Sequence, residues 1–249
     1  DTDALVSIGQ RHDLRVLFDA AHAFGCSAHG KMVGRFGDAE VLSFHATKVM
    51  NSFEGGAILT NDDELARRIR AMRNFGFSEG DVLCGGTNGK MNEAAAAMGL
   101  TSLEQFPEFV KVNERNYAMY ADSLQGIAGV KLVEYDPTET NNYQYVVLDV
   151  DPCAGVKRDY LLAILEAENV LARRYFFPGC HRMEPYRTLF PNAAASLPNT
   201  EALASRLLVL PSGTGVNTEQ IRKICDVIQL VMTHANDIVS QLKIRKRDC

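Results

Sequence analysis

The stretch VLSFHATKVMNSFEGGAILT, residues 41–60, places one lysine between two apolar runs. Both runs are short and rich in residues that favour strands, and two glycines precede the second run. This pattern predicts two buried strands joined by a loop that carries Lys48. A charged lysine between buried strands costs free energy unless it is paired or loses its proton. Lys48 is therefore the first candidate for chemistry.

The segments around this stretch predict an α/β unit. Strands are expected where short apolar runs lie between glycine or polar residues, and their continuous apolar character indicates a sheet covered on both faces. A segment that begins with capping residues and ends in glycine predicts a helix. The start of the chain, with Leu5, Ile8 and His12 on one face, predicts another helix. The expected strands are residues 14–19, 39–44 and 55–60, and the capped helix is residues 61–76.

The second half of the chain predicts a smaller α/β unit. Residues 91–124 have a helical pattern in which Pro107 marks a break or a kink, and we interpret this segment as a connector. Five of the eight prolines lie between Pro178 and Pro211, which predicts an irregular region and a candidate substrate loop. The other expected elements are strands at 130–135, 143–150 and 170–176 and helices at 157–169 and 218–242. The predicted domains are residues 1–125, part of a larger domain with the connecting helix, and residues 126–249, a small C-terminal domain.

The composition excludes several classes of function. The chain has 249 residues, 46% of them hydrophobic and 23% charged, with a formal net charge of −5. These values are typical of a soluble globular protein and do not favour a nucleic-acid partner. The basic run at residues 243–247 is interpreted as a solvated tail. Six cysteines without a C-x-x-C pair argue against a disulfide framework and favour a reducing cytoplasm. No apolar run in the sequence approaches the length of a membrane span, so we expect no membrane partner.

Asp19 ends the first predicted strand, and strand ends in open α/β sheets are where ligands bind. Alone, Asp19 would be interpreted as a helix cap and Lys48 as a surface lysine. Together they indicate a cofactor, because a desolvated lysine amine is a nucleophile able to form a Schiff base. An acid that faces the same site can keep a pyridinium nitrogen protonated. Those are the two groups that pyridoxal 5'-phosphate (PLP) requires of a protein.

Four ordered stretches carry a resemblance to a known family: FDAAHAFG (18–25), GDAEVLSFHATK (37–48), EGGAILTNDDELARRIRAMRNFG (54–76) and GTNGKMNEAAAAMGL (86–100). They resemble the sugar aminotransferases of the DegT/DnrJ/EryC1/StrS family. The resemblance implies an α/β chain of fold type I, with part of a large PLP-binding domain and a smaller C-terminal α/β domain. It also implies a homodimer with its active sites at the subunit boundary.

The resemblance further implies an activity. The family transfers an amine, usually from glutamate, to a keto-deoxysugar nucleotide in the synthesis of deoxyaminosugars such as those of lipopolysaccharide O-antigens. We expect a 4-keto-6-deoxyhexose carried on dTDP or UDP. Some relatives have histidine in place of the lysine and catalyse a dehydration, so Lys48 favours amino transfer.

The same motifs imply roles for individual residues. Lys48 would bind PLP covalently and move the proton, and Asp19 would pair with the pyridine nitrogen. His22, where many relatives have glutamine, would lie near the ring, and Ser43 would bind the cofactor phosphate. Asn88 would reach the phosphate in the partner subunit. Lys90 stands where relatives often have arginine, and lysine loses the bidentate geometry. His181, in the segment YFFPGCHRMEPY (175–186), resembles a histidine that borders the sugar, and a structural histidine is the alternative.

The chain departs from its relatives at the N-terminus. Relatives are longer there, whereas this chain begins without methionine in the helix before Asp19. We therefore expect a truncated piece of an enzyme that binds the cofactor weakly and aggregates when it is expressed alone. The alternative is a non-catalytic product, either a cofactor-binding remnant or a dimerisation scaffold.

The sequence also has features that could suggest a metal site or a nucleotide triphosphate site. The spacing of His22, Cys26, His29 and His45 could suit a metal, but a structural zinc site needs a fourth ligand in a second compact cluster, so we predict no metal. The glycine-rich residues 85–89 lack the Lys-Ser/Thr ending of a P-loop, so we predict no nucleotide triphosphate site.

Overall fold

The computed structural model describes the backbone of residues 1–245 and the side chains of residues 1–241. The side chains of the basic run at 243–247, predicted to be a solvated tail, lie outside the described residues. The chain forms two compact units. The first contains Asp1–Lys111 and Asp136–Gln144, and the second contains Val112–Tyr135 and Tyr145–Cys249.

The first unit is mixed α/β. Its elements are α1 (Thr2–Arg11), β1 (Leu17–Asp19), β2 (Ser27–Ala28), β3 (Lys31–Met32), β4 (Ala39–Ser43), β5 (Gly56–Leu59), α2 (Asp63–Met72), β6 (Phe77–Ser78), β7 (Asp81–Val82) and the beginning of α3 (Glu93–Leu124). The main sheet has the order β1-β4-β5, and β2–β3 and β6–β7 are two-stranded pairs. Strands β1 and β4 are parallel, whereas β4 and β5 are antiparallel. The predicted strands at 14–19, 39–44 and 55–60 are confirmed, each shorter than its apolar run.

Within the described residues, one face of the main sheet is buried and the other is largely exposed. On the covered face, Leu42 is buried, and Glu40 is buried with its carboxylate accepting a hydrogen bond from the Phe36 N–H. On the other face, Leu17, Val41 and Ile58 are 64%, 38% and 48% exposed. The prediction of a sheet covered on both faces is therefore wrong for this chain. Strands that alternate buried and exposed residues are typical of a sheet with one open face.

This open face leads to a prediction for residues 1–249 expressed alone. Val41 and Ile58 are opposite each other across β4 and β5, so they form a continuous apolar surface that favours association. Replacing both by threonine, which keeps the branched shape, is expected to raise the soluble fraction and slow aggregation measured by light scattering. The control is Val133→Thr, an exposed valine of the second unit. Equal aggregation of the double variant and the parent chain would contradict the prediction.

The helices of the first unit follow from local signals, with one exception. Helix α2 begins after Asp62, whose carboxylate accepts a hydrogen bond from the Leu65 N–H at 2.9 Å, and it confirms the helix predicted over 61–76. Pro107 does not break α3, which continues from Glu93 to Leu124. A proline removes a single hydrogen bond, the one to the carbonyl four residues earlier. The packing of the rest of a 32-residue helix outweighs that loss.

The second unit is built on an antiparallel sheet of the order β10-β9-β8. Its elements are the end of α3, β8 (Val130–Leu132), β9 (Val146–Val150), α4 (Arg158–Ala167), a 3₁₀ turn (Cys180–Arg182), α5 (Tyr186–Leu189), α6 (Ala193–Ser196), α7 (Pro198–Arg206), β10 (Leu207–Leu210), α8 (Thr218–Thr233) and α9 (Ala235–Arg245). Fully buried side chains of the sheet and helices form its core, among them Tyr120, Leu148, Leu161, Leu208 and Ile228. The predicted strands at 130–135 and 143–150 and the helix at 157–169 are confirmed.

Three predictions for the second unit are wrong. Residues 170–176 form no strand, since only Arg173 pairs there, in a single bridge with Val209. Strand β10 was not predicted, because its apolar run directly follows α7 without a turn signal. The predicted irregular region at 178–211 contains short helices as well as this strand, and the closing helix predicted over 218–242 is divided at His234 into α8 and α9.

None of the helices in the described part of the chain combines the length and the apolar composition needed to cross a membrane.

Candidate active site

Two of the predicted site residues lie at the carboxyl ends of parallel strands. Asp19 is the last residue of β1 and is opposite Val41 of β4. Ser43, the last residue of β4, therefore lies on the same face as Asp19 and about 7 Å further along the strand. The Asp19 carboxylate accepts a hydrogen bond from the Ala21 N–H at 3.0 Å. This edge of the sheet is where open α/β sheets bind ligands.

Lys48 lies on the loop between β4 and β5 and is half-buried, whereas the sequence predicted a buried amine. The loop is held in place on its far side. The backbone N–H of Asn51 donates to the Ser102 hydroxyl of α3 at 3.1 Å, and the Asn51 amide donates to the Lys48 carbonyl at 3.3 Å. The second half of the loop requires glycine, because a Cβ on Gly55, at φ +151°, would lie 2.7 Å from the Ser52 hydroxyl oxygen. The backbone from which the Lys48 side chain extends is therefore held in a fixed position.

The amine of Lys48 is in direct contact with His22. Lys48 Nζ lies 2.7 Å from His22 Nε2. Burial lowers the pKa of His22, the positive charge of Lys48 lowers it further, and the Asp19 carboxylate acts in the opposite direction. The lowered pKa favours an uncharged imidazole, and an uncharged ring nitrogen can accept a hydrogen bond from the Lys48 amine. Lys48, His22 and Asp19 form one charge-coupled cluster, and the sequence did not predict the contact between the lysine and the histidine.

The lowered pKa of His22 is a testable property. We expect the imidazole to titrate below the ordinary histidine value of about 6.5, and Lys48→Met to raise its pKa by removing the neighbouring positive charge. Because the unfolded chain binds this proton at higher pH than the folded chain, the free energy of unfolding should fall as pH drops below about 6.5. Histidine NMR titration of the natural protein and of the variant measures both pKa values. A His22 that titrates above the ordinary value would contradict this account.

The remaining predicted cofactor residues lie in the first unit. Ser43 is half-buried, and its hydroxyl oxygen accepts a hydrogen bond from the His45 N–H at 3.3 Å. Asn88 is exposed and its backbone pairs with Asn74. In the described part of the chain no hydrogen bond joins Asn88 to Lys48, His22 or Asp19. Its predicted role in a partner subunit stays a prediction.

His181 belongs to the second unit, where its ring contacts the carboxylate of an acidic residue. Its Nε2 lies 2.5 Å from Glu201 Oε1, and Arg182 forms a bidentate ion pair with the same carboxylate. Arg182 and then His181 lower the pKa of Glu201 to about 2. The 3₁₀ turn is thus joined to α7 by an ion-paired network. The predicted role of His181 toward the sugar stays a prediction.

Two of the histidines whose spacing could suit a metal make contacts with other side chains. His22 contacts Lys48, and His45 Nδ1 lies 2.9 Å from the Thr47 hydroxyl. Within the residues that the structure describes, no group of three histidine, cysteine or acidic side chains could hold a metal ion.

The cluster has the groups that PLP needs. An amine suits the aldehyde of the cofactor, a carboxylate at a strand end suits its ring nitrogen, and a hydroxyl on the same face suits its phosphate. Lys48 is placed by its loop, and Asp19 and Ser43 share one face of the sheet. His22 contacts the lysine, and the Asp19 charge acts on the pKa of His22. The residues present therefore fit this cofactor.

Sequence reasoning missed the segment that supports the loop carrying His22. Asn142 lies in the polar run TETNNYQ (138–144), which has the composition of an ordinary turn. Its side chain donates hydrogen bonds to the His22 and Phe24 carbonyls. A buried asparagine with partners more than a hundred residues away leaves no local signal in a sequence.

Several solved structures share this fold. DesI, crystallised in the presence of its TDP-sugar product, is 47% identical, with a TM-score of 0.90, and the match covers 97% of this chain and 62% of DesI. Helicobacter pylori PseC, an aminotransferase involved in pseudoaminic acid biosynthesis, is 26% identical, with a TM-score of 0.84, over 93% of this chain and 63% of PseC. The chain has the fold of the PLP-dependent sugar aminotransferases of fold type I.

The family is shown by a model of the DegT/DnrJ/EryC1/StrS aminotransferase family, which matches residues 1–229. The chain belongs to this family, whose aminotransferases use PLP. Two curated relatives, both dTDP-4-amino-4,6-dideoxy-D-glucose transaminases, come from Shigella dysenteriae and Escherichia coli and are 35% and 31% identical over 92% of this chain. The chain spans 62% of the length of each. The family and fold class predicted from the four sequence stretches are confirmed.

Proposed function

We propose that this chain carries the catalytic lysine of a PLP-dependent aminotransferase that acts on a keto-deoxysugar nucleotide. The observation that carries the proposal is the 2.7 Å contact between Lys48 Nζ and His22 Nε2, within the charge influence of Asp19. When bound, PLP supplies an electron sink that stabilises negative charge on a substrate carbon. The chain's own residues supply the binding, the orientation and the proton transfers.

Lys48 has two roles in this proposal. Its amine would hold the cofactor covalently, and as a free amine Lys48 Nζ would carry a proton between a carbon of the substrate and a carbon of the cofactor. Both roles need an amine that can lose its proton. The neutral imidazole of His22 is an acceptor at 2.7 Å, so it can hold Lys48 in place and take part in the loss of that proton.

Asp19 and Ser43 hold the two ends of the cofactor. The Asp19 carboxylate would pair with the ring nitrogen and keep it positively charged, and the Ser43 hydroxyl would donate to the phosphate. The distance between Asp19 and Ser43 along one face of the sheet supports their assignment to opposite ends of the cofactor. In the proposal, Asn88 binds the phosphate in a partner subunit, and His181 borders the sugar.

The proposed amine donor is glutamate, and the proposed acceptor is a 4-keto-6-deoxyhexose on dTDP or UDP. The names of the Shigella and E. coli relatives and the TDP-sugar product in the DesI crystal structure support this class of acceptor. The product would be an amino sugar of the kind incorporated into polysaccharides such as a lipopolysaccharide O-antigen.

The experiment uses the full-length protein that the gene encodes. It is incubated with PLP, L-glutamate and a dTDP-4-keto-6-deoxyhexose, and mass spectrometry follows formation of the amino sugar and of 2-oxoglutarate. In parallel, borohydride reduction and peptide mapping identify the lysine that holds the cofactor. Both products and an adduct on Lys48 support the proposal. An adduct on another lysine, or glutamate consumption without an amino sugar, would overturn it.

The alternative function is a non-catalytic one, a cofactor-binding remnant or a dimerisation scaffold. The observation that favours it is the open face of the main sheet, where Val41 and Ile58 are exposed. The same reduction experiment separates the two functions. A protein that binds its partner but yields no adduct on Lys48 would support the scaffold.

We also propose a homodimer in a reducing cytoplasm. The pair β6–β7 precedes Asn88 and exposes Phe77 and Val82, which are opposite each other. The five described cysteines are unpaired thiols, as expected for a reducing compartment.

Val82→Asp should dissociate the proposed dimer, because a charge buried in an apolar contact is costly. We expect a shift from dimer to monomer in sedimentation velocity at micromolar concentration. The matched control is Leu171→Asp, an exposed leucine of the second unit, which should leave the dimer intact. A Val82→Asp variant that sediments as the parent protein would remove β6–β7 from the interface.

A further inference from the structure

The loop that carries His22 is held by a distant part of the sequence. Residues 136–144, here called the support segment, lie between β8 and β9 in sequence but pack in the first unit. The Ser27 N–H donates to the Thr140 carbonyl at 3.0 Å, and the Thr140 N–H donates to the Ser27 hydroxyl oxygen at 2.7 Å. Glu139 accepts hydrogen bonds from the Ser27 hydroxyl and from the Gly30 N–H.

Asn142 makes the contact nearest to the site. Its amide nitrogen donates to the His22 carbonyl at 2.8 Å and to the Phe24 carbonyl at 3.1 Å. Its amide oxygen accepts from the Gln144 N–H at 3.0 Å. The residue is 4% exposed, so water cannot replace these bonds if the side chain is removed.

We propose that Asn142 is a positioning residue for the Lys48–His22 pair, which it serves by fixing the backbone from which the imidazole projects. The proposal rests on the proposed function, in which that pair holds and moves the proton. The lysine side of the pair is fixed separately, by the contact of Asn51 with Ser102. A 2.7 Å contact between two independently anchored loops requires both anchors. Asn142 is the anchor on the histidine side.

The support segment offers a matched control. The side chain of Asn141 also donates to two carbonyls, those of Asp136 and Glu139, at 2.8 and 2.9 Å. Both of these acceptors lie within the support segment itself. Asn141→Ala therefore removes two donated bonds to carbonyls, as Asn142→Ala does, but neither of them holds the His22 loop.

The test compares Asn142→Ala, Asn142→Leu and Asn141→Ala in the full-length protein that the gene encodes. Leucine has nearly the shape of asparagine but donates no hydrogen bond, so it separates donation from packing. Two quantities are measured: the pKa of His22 by NMR, and kcat and KM for amino transfer. In both Asn142 variants we expect the His22 pKa to rise toward the ordinary value, because the ring gains water and Lys48 no longer faces it closely, while the Asp19 carboxylate remains. We also expect kcat to fall about tenfold or more with little change in KM.

The outcomes separate this inference from the proposed function. If Asn142→Leu behaves as the parent protein, or if Asn141→Ala moves the His22 pKa as much as Asn142→Ala, the positioning role is wrong. If the parent protein transfers no amine but the His22 pKa shifts in both Asn142 variants and not in Asn141→Ala, the positioning role holds and the proposed reaction fails. The NMR titration follows folded protein, so reduced stability of a variant does not obscure the result.

Discussion

Replacing Lys48 by alanine is expected to reduce kcat for amino transfer by at least about a thousandfold, because one side chain supplies both the covalent attachment and the proton transfer. The bound cofactor should lose its covalent link, so borohydride reduction should leave no adduct on the peptide that contains residue 48. A loss of this size follows only if Lys48 touches the reacting atoms.

Lys48→Arg makes the test sharper. Arginine keeps a positive charge beside His22, but its guanidinium stays protonated and is not a nucleophile. If the amine itself is required, arginine should be as inactive as alanine, whereas a lysine needed only for its charge would be rescued. Lys31→Ala, at an exposed lysine of β3, is the matched control and should keep the parent activity. A Lys48→Ala variant that retains a tenth of the parent kcat would rule out the proposed role.

The parts of the site that the sequence predicted are those with a local signature. Asp19 was visible as the polar residue at the end of an apolar run, whereas Ser43 was assigned from the family resemblance. The parallel register then put both side chains on the same face. The lysine was visible because it interrupts two such runs.

The parts that could not be predicted depend on long-range contacts. The bond between Lys48 and His22 joins residues 26 positions apart, and Asn142 reaches back 120 positions to the His22 carbonyl. Strand β10 is defined by its pairing with β9 rather than by its own boundaries. Pro107 is a case of the opposite kind, since a local rule predicted a break or a kink there and α3 continues through it from Glu93 to Leu124.

Burial explains the other difference. A continuous apolar run was interpreted as a strand covered on both sides, yet Val41 and Ile58 are exposed and Leu42 is buried. Periodicity predicts which side chains share a face, but not whether another element covers that face. The open face is therefore a finding of the structure.

Asp19→Asn is expected to have the second largest effect on activity. Asparagine keeps the shape and can still accept the hydrogen bond from the Ala21 N–H, but it removes the negative charge proposed to stabilise the ring nitrogen. The substitution thus removes a charge-assisted interaction with the ring nitrogen and leaves the packing unchanged. We therefore expect kcat to fall about a hundredfold. The effect should appear in kcat more than in KM, because the lost stabilisation acts on the charge that develops during reaction.

The same substitution has a signed effect on His22 that does not depend on turnover. The Asp19 carboxylate raises the pKa of His22, against burial and the charge of Lys48, which lower it. Removing the carboxylate should therefore lower the His22 pKa further, whereas Lys48→Met should raise it. Asp13→Asn is the control, since Asp13 is exposed at φ +51°, a conformation that asparagine tolerates well. If NMR titration shows the His22 pKa unchanged in Asp19→Asn, the acid does not act on the histidine, and the three side chains do not form one coupled site.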